Sequence, residues 1–263
     1  MSKVIAITGA ARGIGLATAR AVQAKGATVV IGDIDETAVK EAAAGIGATA
    51  LPLDVTDRAS FSAFLDATGD VDVLVNNAGI MPIGPVTAES DEDARRCLDI
   101  NVHGVMLGTK LALERMLPRG RGQIINIASV AGLLPTPGLA LYNASKAAVV
   151  AFTESTRLEV LESGVKVGAI LPTFTNTELI SGTRSPKGQR NCEPEEIAAA
   201  VVQMIGKPRS ALTVPAKYGR QVRFGALLPD RVREATIRRF ELDKVFLDYD
   251  ADARKGYDAR IRG

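Results

Sequence analysis

The sequence predicts an α/β domain built on a doubly wound parallel sheet of about seven strands with helices on both faces. Three observations predict it. Short β-rich runs alternate with longer helical patterns along most of the 263 residues. The apolar residues within those runs are nearly continuous, as expected of parallel strands covered on both sides. The first run also passes through a glycine-rich turn straight into a helical pattern.

The expected strands are Val4–Thr8, Thr28–Gly32, Ala48–Leu53, Val71–Val75, Ile124–Ala128, Val165–Leu171 and Ala211–Val214. Helices are expected over Gly15–Lys25, Glu36–Ala44, Arg58–Ala67, Asp91–Leu117, Ala144–Glu162 and Glu195–Ile205. Glu193-Pro194-Glu195 marks the start of the last with first-turn acids and an early proline. With no internal repeat and no Pro/Gly/Ser-rich linker, the chain reads as one domain over 1–263.

Two stretches break the alternation. Thr173–Arg190, extending to about residue 192, is polar and punctuated by Gly182, Pro186 and Gly188, which reads as a long substrate loop. A basic extension begins near Lys217; up to Arg239 it holds seven Lys or Arg against Asp230 and Glu234.

With 46% apolar and 24% charged residues, 25 Gly and 12 Pro, the composition is globular and excludes collagenous, low-complexity and disordered classes. A formal charge of +2 gives no case for a nucleic-acid partner. Met1–Thr8 has no basic region of a secretory signal, and nowhere do eighteen apolar residues run together. Cys97 and Cys192 form no CxxC and have no histidine nearby, so neither a disulfide framework nor a metal site is expected. These features together suggest a reducing, cytoplasmic location.

Four motifs carry chemistry. Thr8-Gly9-Ala10-Ala11-Arg12-Gly13-Ile14-Gly15 joins strand to helix, where glycines let the backbone approach a pyrophosphate and the helix N-terminus offers N–H groups to an anion. Asp33 ends the second strand eighteen residues after Gly15, where a carboxylate can accept both ribose hydroxyls of NAD or cap the helix near Glu36, a task open equally to Asp35. Asp54, before Val55, can likewise take an adenine amino group or serve as a cap. Asn76-Asn77-Ala78-Gly79 suits the crevice at a strand's carboxyl end, and alone is only a turn. Tyr142 and Lys146 fall four apart on one helical face, and Ser129, thirteen residues before the tyrosine, would reach the same sheet edge.

In this order the motifs resemble the short-chain dehydrogenase/reductase family in its compact, Rossmann-like form, over residue 3 to about 215. The resemblance implies Tyr142 as catalytic acid/base, Lys146 as the ligand of the nicotinamide ribose, Ser129 as the group polarising the substrate oxygen, and Asn101 as the holder of a relay water. It implies that Gly9, Arg12, Ile14, Asp33, Asp54, Val55, Asn77 and Gly79 line the dinucleotide, and that Thr175 and Thr177 meet the nicotinamide carboxamide. Where the family commonly shows Pro-Gly after the sixth strand this chain has Pro172-Thr173, which leaves the turn there open. By the same resemblance, dimers or tetramers would form through the helices near 91–117 and 142–162.

The implied activity is NAD-dependent interconversion of a secondary alcohol and a ketone, with no metal. The alternatives are an NADPH-dependent carbonyl reductase and a non-catalytic dinucleotide sensor or scaffold. A tyrosine titrates near 10, and the Lys146 ammonium and the nicotinamide cation should both pull it toward neutrality. His103 reads as structural. Met81, Leu133, Leu134, Leu139 and Leu141 are either core or, with Leu179, the wall of a lipophilic substrate site beneath a lid that orders only with ligand. In the extension, Arg220, Arg223, Arg231, Arg233, Arg238 and Arg239 interleave with Phe224, Leu227, Leu228, Val232, Ile237 and Phe240. That pattern fits weak contact with an anionic membrane surface, a subunit interface or a solvated helix.

Overall fold

The computed structural model describes residues 3–187, 190–225 and 227–262; Gly188 and the side chains of Arg220, Gln221 and Arg223 fall outside the description. The first half runs β1 (Val4–Thr8), α1 (Gly13–Gln23), β2 (Thr28–Asp33), α2 (Glu36–Ala44), β3 (Thr49–Pro52), α3 (Arg58–Thr68), β4 (Val73–Asn76), α4 (Asp91–Leu98) and α5 (Gly104–Met116). The second half runs β5 (Gly122–Ile127), α6 (Ala140–Glu159), β6 (Val165–Pro172), α7 (Pro194–Gly206), β7 (Ala211–Val214), α8 (Gly219–Gly225), α9 (Asp230–Arg239), α10 (Leu242–Leu247) and α11 (Ala251–Arg262).

All seven strands pair in parallel in the order β3-β2-β1-β4-β5-β6-β7. The order reverses between β1 and β4, which makes their carboxyl ends the natural ligand crevice. The strands' apolar runs divide by alternation. Ile5, Ile7, Ile31, Val73 and Val75 face α1, α2 and α7 through Val22, Val39, Ile197 and Val201. Ala6, Val30, Leu74 and Ile124 face α3 and α5 through Phe61, Phe64, Leu107 and Leu111. Each face buries its own layer, so the sheet lies in the middle of the molecule.

Three departures from the sequence reading have physical causes. The helix expected over 91–117 is broken by one π turn, Asp99–His103, between α4 and α5. There the Asn101 side chain satisfies both Ile80 N–H and Ile80 C=O at 2.8 Å, and the extra residue aims it inward. Helix α6 starts at Ala140 rather than Ala144, because tertiary packing of Leu139 and Tyr142 sets its start without a capping side chain. Among the described residues the basic extension carries helices α8 to α11, of which α10 and α11 return to the carboxyl edge of the sheet through Val245, Phe246 and Tyr257.

The missing glycine at Thr173 does not disturb its turn. Thr173 has no positive φ, and its N–H bonds Val214 C=O at 2.9 Å. Among the described residues both cysteines are free and buried, no cluster of ligating side chains could hold a metal, and no helix is long and apolar enough to cross a membrane.

One contact fixes how closely α5 lies on the sheet. A Cβ at Gly108 would sit 2.4 Å from Phe61 Cζ and 2.5 Å from Asn76 Oδ1. Gly108→Ala should therefore lower unfolding stability by about 1–3 kcal/mol, measured by chemical denaturation. A change within about 0.5 kcal/mol would show that the helix shifts freely.

Candidate active site

The turn after β1 is held against the end of β4. Gly9 and Gly13 take φ of +63° and +56°, and a Cβ on Gly9 would lie 2.6 Å from Ala78 Cα. Asn77 Nδ2 donates to the carbonyls of Thr8 (3.0 Å) and Gly9 (2.8 Å), while Thr8 Oγ1 accepts from Asn77 N and Ala78 N. Asn77 thus shapes the turn, and Thr8 is a partner that sequence reasoning missed.

Helix α1 has no side-chain cap and no acid in its first turn, unlike α2, α3 and α4, which Asp35, Asp57 and Ser90 cap. Its N–H groups and positive dipole end are left for an anion, so the turn fits a pyrophosphate.

At the end of β2 the capping question resolves. Asp35 caps α2 through Ala38 N, which leaves Asp33 free of that task. Asp33 instead accepts from Ala11 N at 3.0 Å and Asp35 N at 3.2 Å, fixing its carboxylate at the cleft edge. Arg12 donates to Asp35 at 2.6 Å, and the Ala38 N–H and this guanidinium hold the Asp35 carboxyl below its usual range. Asp54 accepts from Thr56 N and Thr56 Oγ1, closing a local turn while still lining the cleft.

Every expected site residue except Asn101 lines one cleft of about 2040 Å³ along the carboxyl edge of the sheet. Asn101 lies behind it, wholly buried, donating to Ser145 Oγ at 3.0 Å; Ser145 in turn donates to Tyr142 C=O at 2.8 Å. The asparagine thereby ties the segment after β4 to the first turn of α6. Gly79 leaves room for this, since a Cβ there would lie 3.2 Å from Asn101 Oδ1.

Ser129, Tyr142 and Lys146 come together at the ends of β5 and α6. Ser129 Oγ accepts from Ala131 N at 3.1 Å. Lys146 Nζ donates to Ile127 C=O at 3.0 Å and lies 5.6 Å from the Tyr142 ring centroid. Burial draws the Lys146 ammonium down to about 8. Burial also lifts the Tyr142 phenol above its ordinary value, against a hydrogen bond with Ser129 that works the other way. The expected depressed phenol is therefore not a property of the chain alone, because desolvation outweighs the polar neighbours the protein supplies.

Thr175 and Thr177 border the cleft from the loop after β6, with Thr175 Oγ1 donating to Thr173 C=O at 3.0 Å. Met81, Leu134, Leu139 and Leu179 line the cleft, joined by Phe174 and Phe246, which stack at 5.6 Å. Leu133 packs instead with Val149 and Leu171 beneath the sheet edge, and Leu141 lies outside the lining. His103 is exposed outside the cleft. In the extension Phe224, Leu227, Leu228, Val232 and Phe240 are exposed, while Arg233 and Arg238 pair with Asp230 and Glu234. Tyr257 of α11 lines the cleft, and Arg254 lies buried behind it against Met81; sequence reasoning missed both, because their segment has no apolar period to announce them.

A family model described as short chain dehydrogenase matches residues 3–188. Galactitol 2-dehydrogenase of Agrobacterium fabrum is 44% identical over 184 residues, covering 67% of this chain and 72% of that one. The 3-alpha-(or 20-beta)-hydroxysteroid dehydrogenase of Mycobacterium tuberculosis is 38% identical over 223 residues, covering 81% and 86%. Among solved structures, the 3-ketoacyl-(acyl-carrier-protein) reductase of Brucella melitensis complexed with NADH superposes with a TM-score of 0.73 at 32% identity, covering 81% of this chain and 96% of that one. NAD+-bound xylitol dehydrogenase does so with 0.73 at 28% identity, covering 81% and 97%. Fold, motif order and relatives agree: the chain belongs to the short-chain dehydrogenase family and is an oxidoreductase of that family.

Proposed function

We propose that the protein interconverts a secondary alcohol and a ketone, with NAD as the hydride carrier, Tyr142 as acid/base and a lipophilic substrate. The observation that carries this reading is the meeting of Ser129, Tyr142 and buried Lys146 at one end of a cleft whose other end carries Asp33. An idle sensor or scaffold has no use for that convergence.

The bound cofactor supplies the carbon that takes the hydride and a positive ring beside the phenol. The turn from Gly9 to Ile14 and the open end of α1 hold the pyrophosphate, Asp33 accepts the adenosine ribose hydroxyls, and Lys146 takes those of the other ribose. Thr175 and Thr177 meet the carboxamide. In oxidation Tyr142 accepts the hydroxyl proton of the alcohol as the carbinol hydrogen departs with its electron pair, and Ser129 donates to the substrate oxygen. Lys146, still largely protonated near neutrality, favours the phenolate by its charge. Asn101 is the holder of a relay water, its side chain fixed by donating to Ile80 C=O and Ser145 Oγ.

Asp33 supports NAD rather than NADP, as does the pairing of Arg12 with Asp35 at 2.6 Å, which holds it from a 2′-phosphate. The substrate class rests on the apolar walls, because the relatives include both a galactitol and a hydroxysteroid dehydrogenase. Exposed Leu98, Met106, Leu158 and Leu161 on and beside α4–α6 support a homodimer or homotetramer formed there. The exposed apolar residues of α8 and α9 support at most weak contact with an anionic bilayer, since two of the arginines there are already paired.

Tyr142→Phe should reduce turnover by about 10²-fold or more with NAD affinity nearly intact, whereas Lys146→Met should weaken both. Turnover of Tyr142→Phe within about tenfold of the wild type would remove the tyrosine from its role. In steady-state assays NAD should be preferred over NADP by about one to three orders of magnitude, and Asp33→Ala should erode that preference; equal use by the wild type would contradict it. Absorbance assays of nicotinamide reduction across secondary alcohols should show kcat/KM rising with chain length. A flat or falling trend would end the lipophilic assignment.

A further inference from the structure

Helix α11 carries a buried cation that the chemistry above does not use. Arg254 is wholly buried, and its guanidinium bridges two loops that are distant in sequence. Nη2 donates to Met81 C=O, in the segment after β4. Nη1 donates to the carbonyls of Leu179 at 2.8 Å and Ser181 at 3.1 Å, in the loop after β6. Asp258, one turn along α11, stands 3.0 Å from Nε, and the Tyr257 ring lies 4.6 Å from the guanidinium. Tyr257 Oη itself accepts from Met81 N at 2.8 Å.

A second contact joins the same elements independently. Asp250 N donates to Gly182 C=O at 2.8 Å, and a Cβ on Gly182, whose φ is +74°, would sit 2.3 Å from Asp250 O. Arg184 pairs with Asp248 beside it at 3.6 Å. The loop is thus pinned near its middle twice over, at Leu179 and Ser181 by a buried charge and at the adjoining Gly182 by a glycine-dependent close approach.

The physics of the arginine makes this more than packing. A buried guanidinium deprived of acceptors is costly, so Arg254 cannot release the Leu179 and Ser181 carbonyls and stay where it is. Either the loop and α11 move together, or the loop stays down. Met81 and Leu179, the residues so joined, both line the cleft and pack in one apolar cluster.

We propose that α11 is an intrachain latch that sets the width of the substrate chamber, with Arg254 as its positioning residue. On this proposal the loop expected as a lid is held down by α11. The kinetic part rests on the alcohol-dehydrogenase reading; the structural part does not.

The test compares the full-length wild type with Arg254→Met, Arg254→Lys and Gly182→Ala. Hydrogen exchange is followed at the loop amides Ile180, Ser181 and Thr183, which bond only within the loop. In Arg254→Met and Gly182→Ala these amides should exchange about tenfold faster or more, while those of β1 and β4 stay as in the wild type. Arg254→Lys should fall between. With a bulky apolar secondary alcohol, KM should rise about fivefold or more while kcat stays within about twofold and the Kd for NAD is unchanged.

Unchanged exchange in the folded variants would overturn the latch. Faster exchange with an unmoved KM would overturn its control of the chamber. Should Arg254→Met not fold, Gly182→Ala decides, because it leaves the arginine in place. A wild type that turns over no alcohol would count against the proposed function, and the exchange result would still judge the latch.

Discussion

Gly9 brings its backbone so near to Ala78, just past β4, that no side chain fits between them, and Asn77 locks that approach by donating to Thr8 and Gly9 carbonyls. This crossing, at the point where strand order reverses, determines the rest of the site. It opens the first turn of α1 toward the cleft with its N–H groups free. It sets Ala10 N within 3.2 Å of Gly32 C=O, and so places Asp33 beside the same turn. It also delivers Gly79 and Ile80 to Asn101, from which the link runs through Ser145 to Tyr142.

Behind this edge a second polar layer stiffens the sheet. Asn76 donates to Thr109 and Asn126, and Asn126 donates to Thr153, all four buried between β4, β5, α5 and α6. Among the described residues Asn76 Oδ1 has no partner there, while the paired groups rigidify the core because breaking any one bond would orphan another buried polar group. Their effect is to hold α6, and with it Tyr142 and Lys146, in fixed register with β5 and Ser129. The site's electrostatics are set by burial rather than by ion pairing: both the phenol and the ammonium are pushed toward their neutral forms. Charge arriving with a ligand therefore has large leverage here.

Much of this was legible in the residues. Continuous apolar runs reported the parallel strands, and glycine spacing reported the β1–α1 turn, because both follow from local geometry. The Ser129, Tyr142 and Lys146 set was legible because the strand end and the helix phase put all three at one edge. What stayed hidden depends on contacts distant in sequence. The π turn at Asn101 exists because of Ile80, and no periodicity marks it. The start of α6 at Ala140 has no capping residue to signal it. Arg254 and Tyr257 belong to a segment whose polar composition reads as a solvated helix, although one is wholly buried and the other nearly so. The Tyr142 phenol was expected to shift downward because charges can be counted in a sequence, whereas desolvation cannot.

The central claim is that this edge of the sheet transfers hydride from a carbinol carbon to a nicotinamide ring. The most direct measurement uses a secondary alcohol with deuterium on that carbon, NAD and the full-length protein, followed by mass spectrometry of the reduced cofactor. The account predicts one deuterium in the dihydronicotinamide ring and a ketone product lacking it. Reduced cofactor without the label, or a ketone formed with the label lost to water, would contradict it.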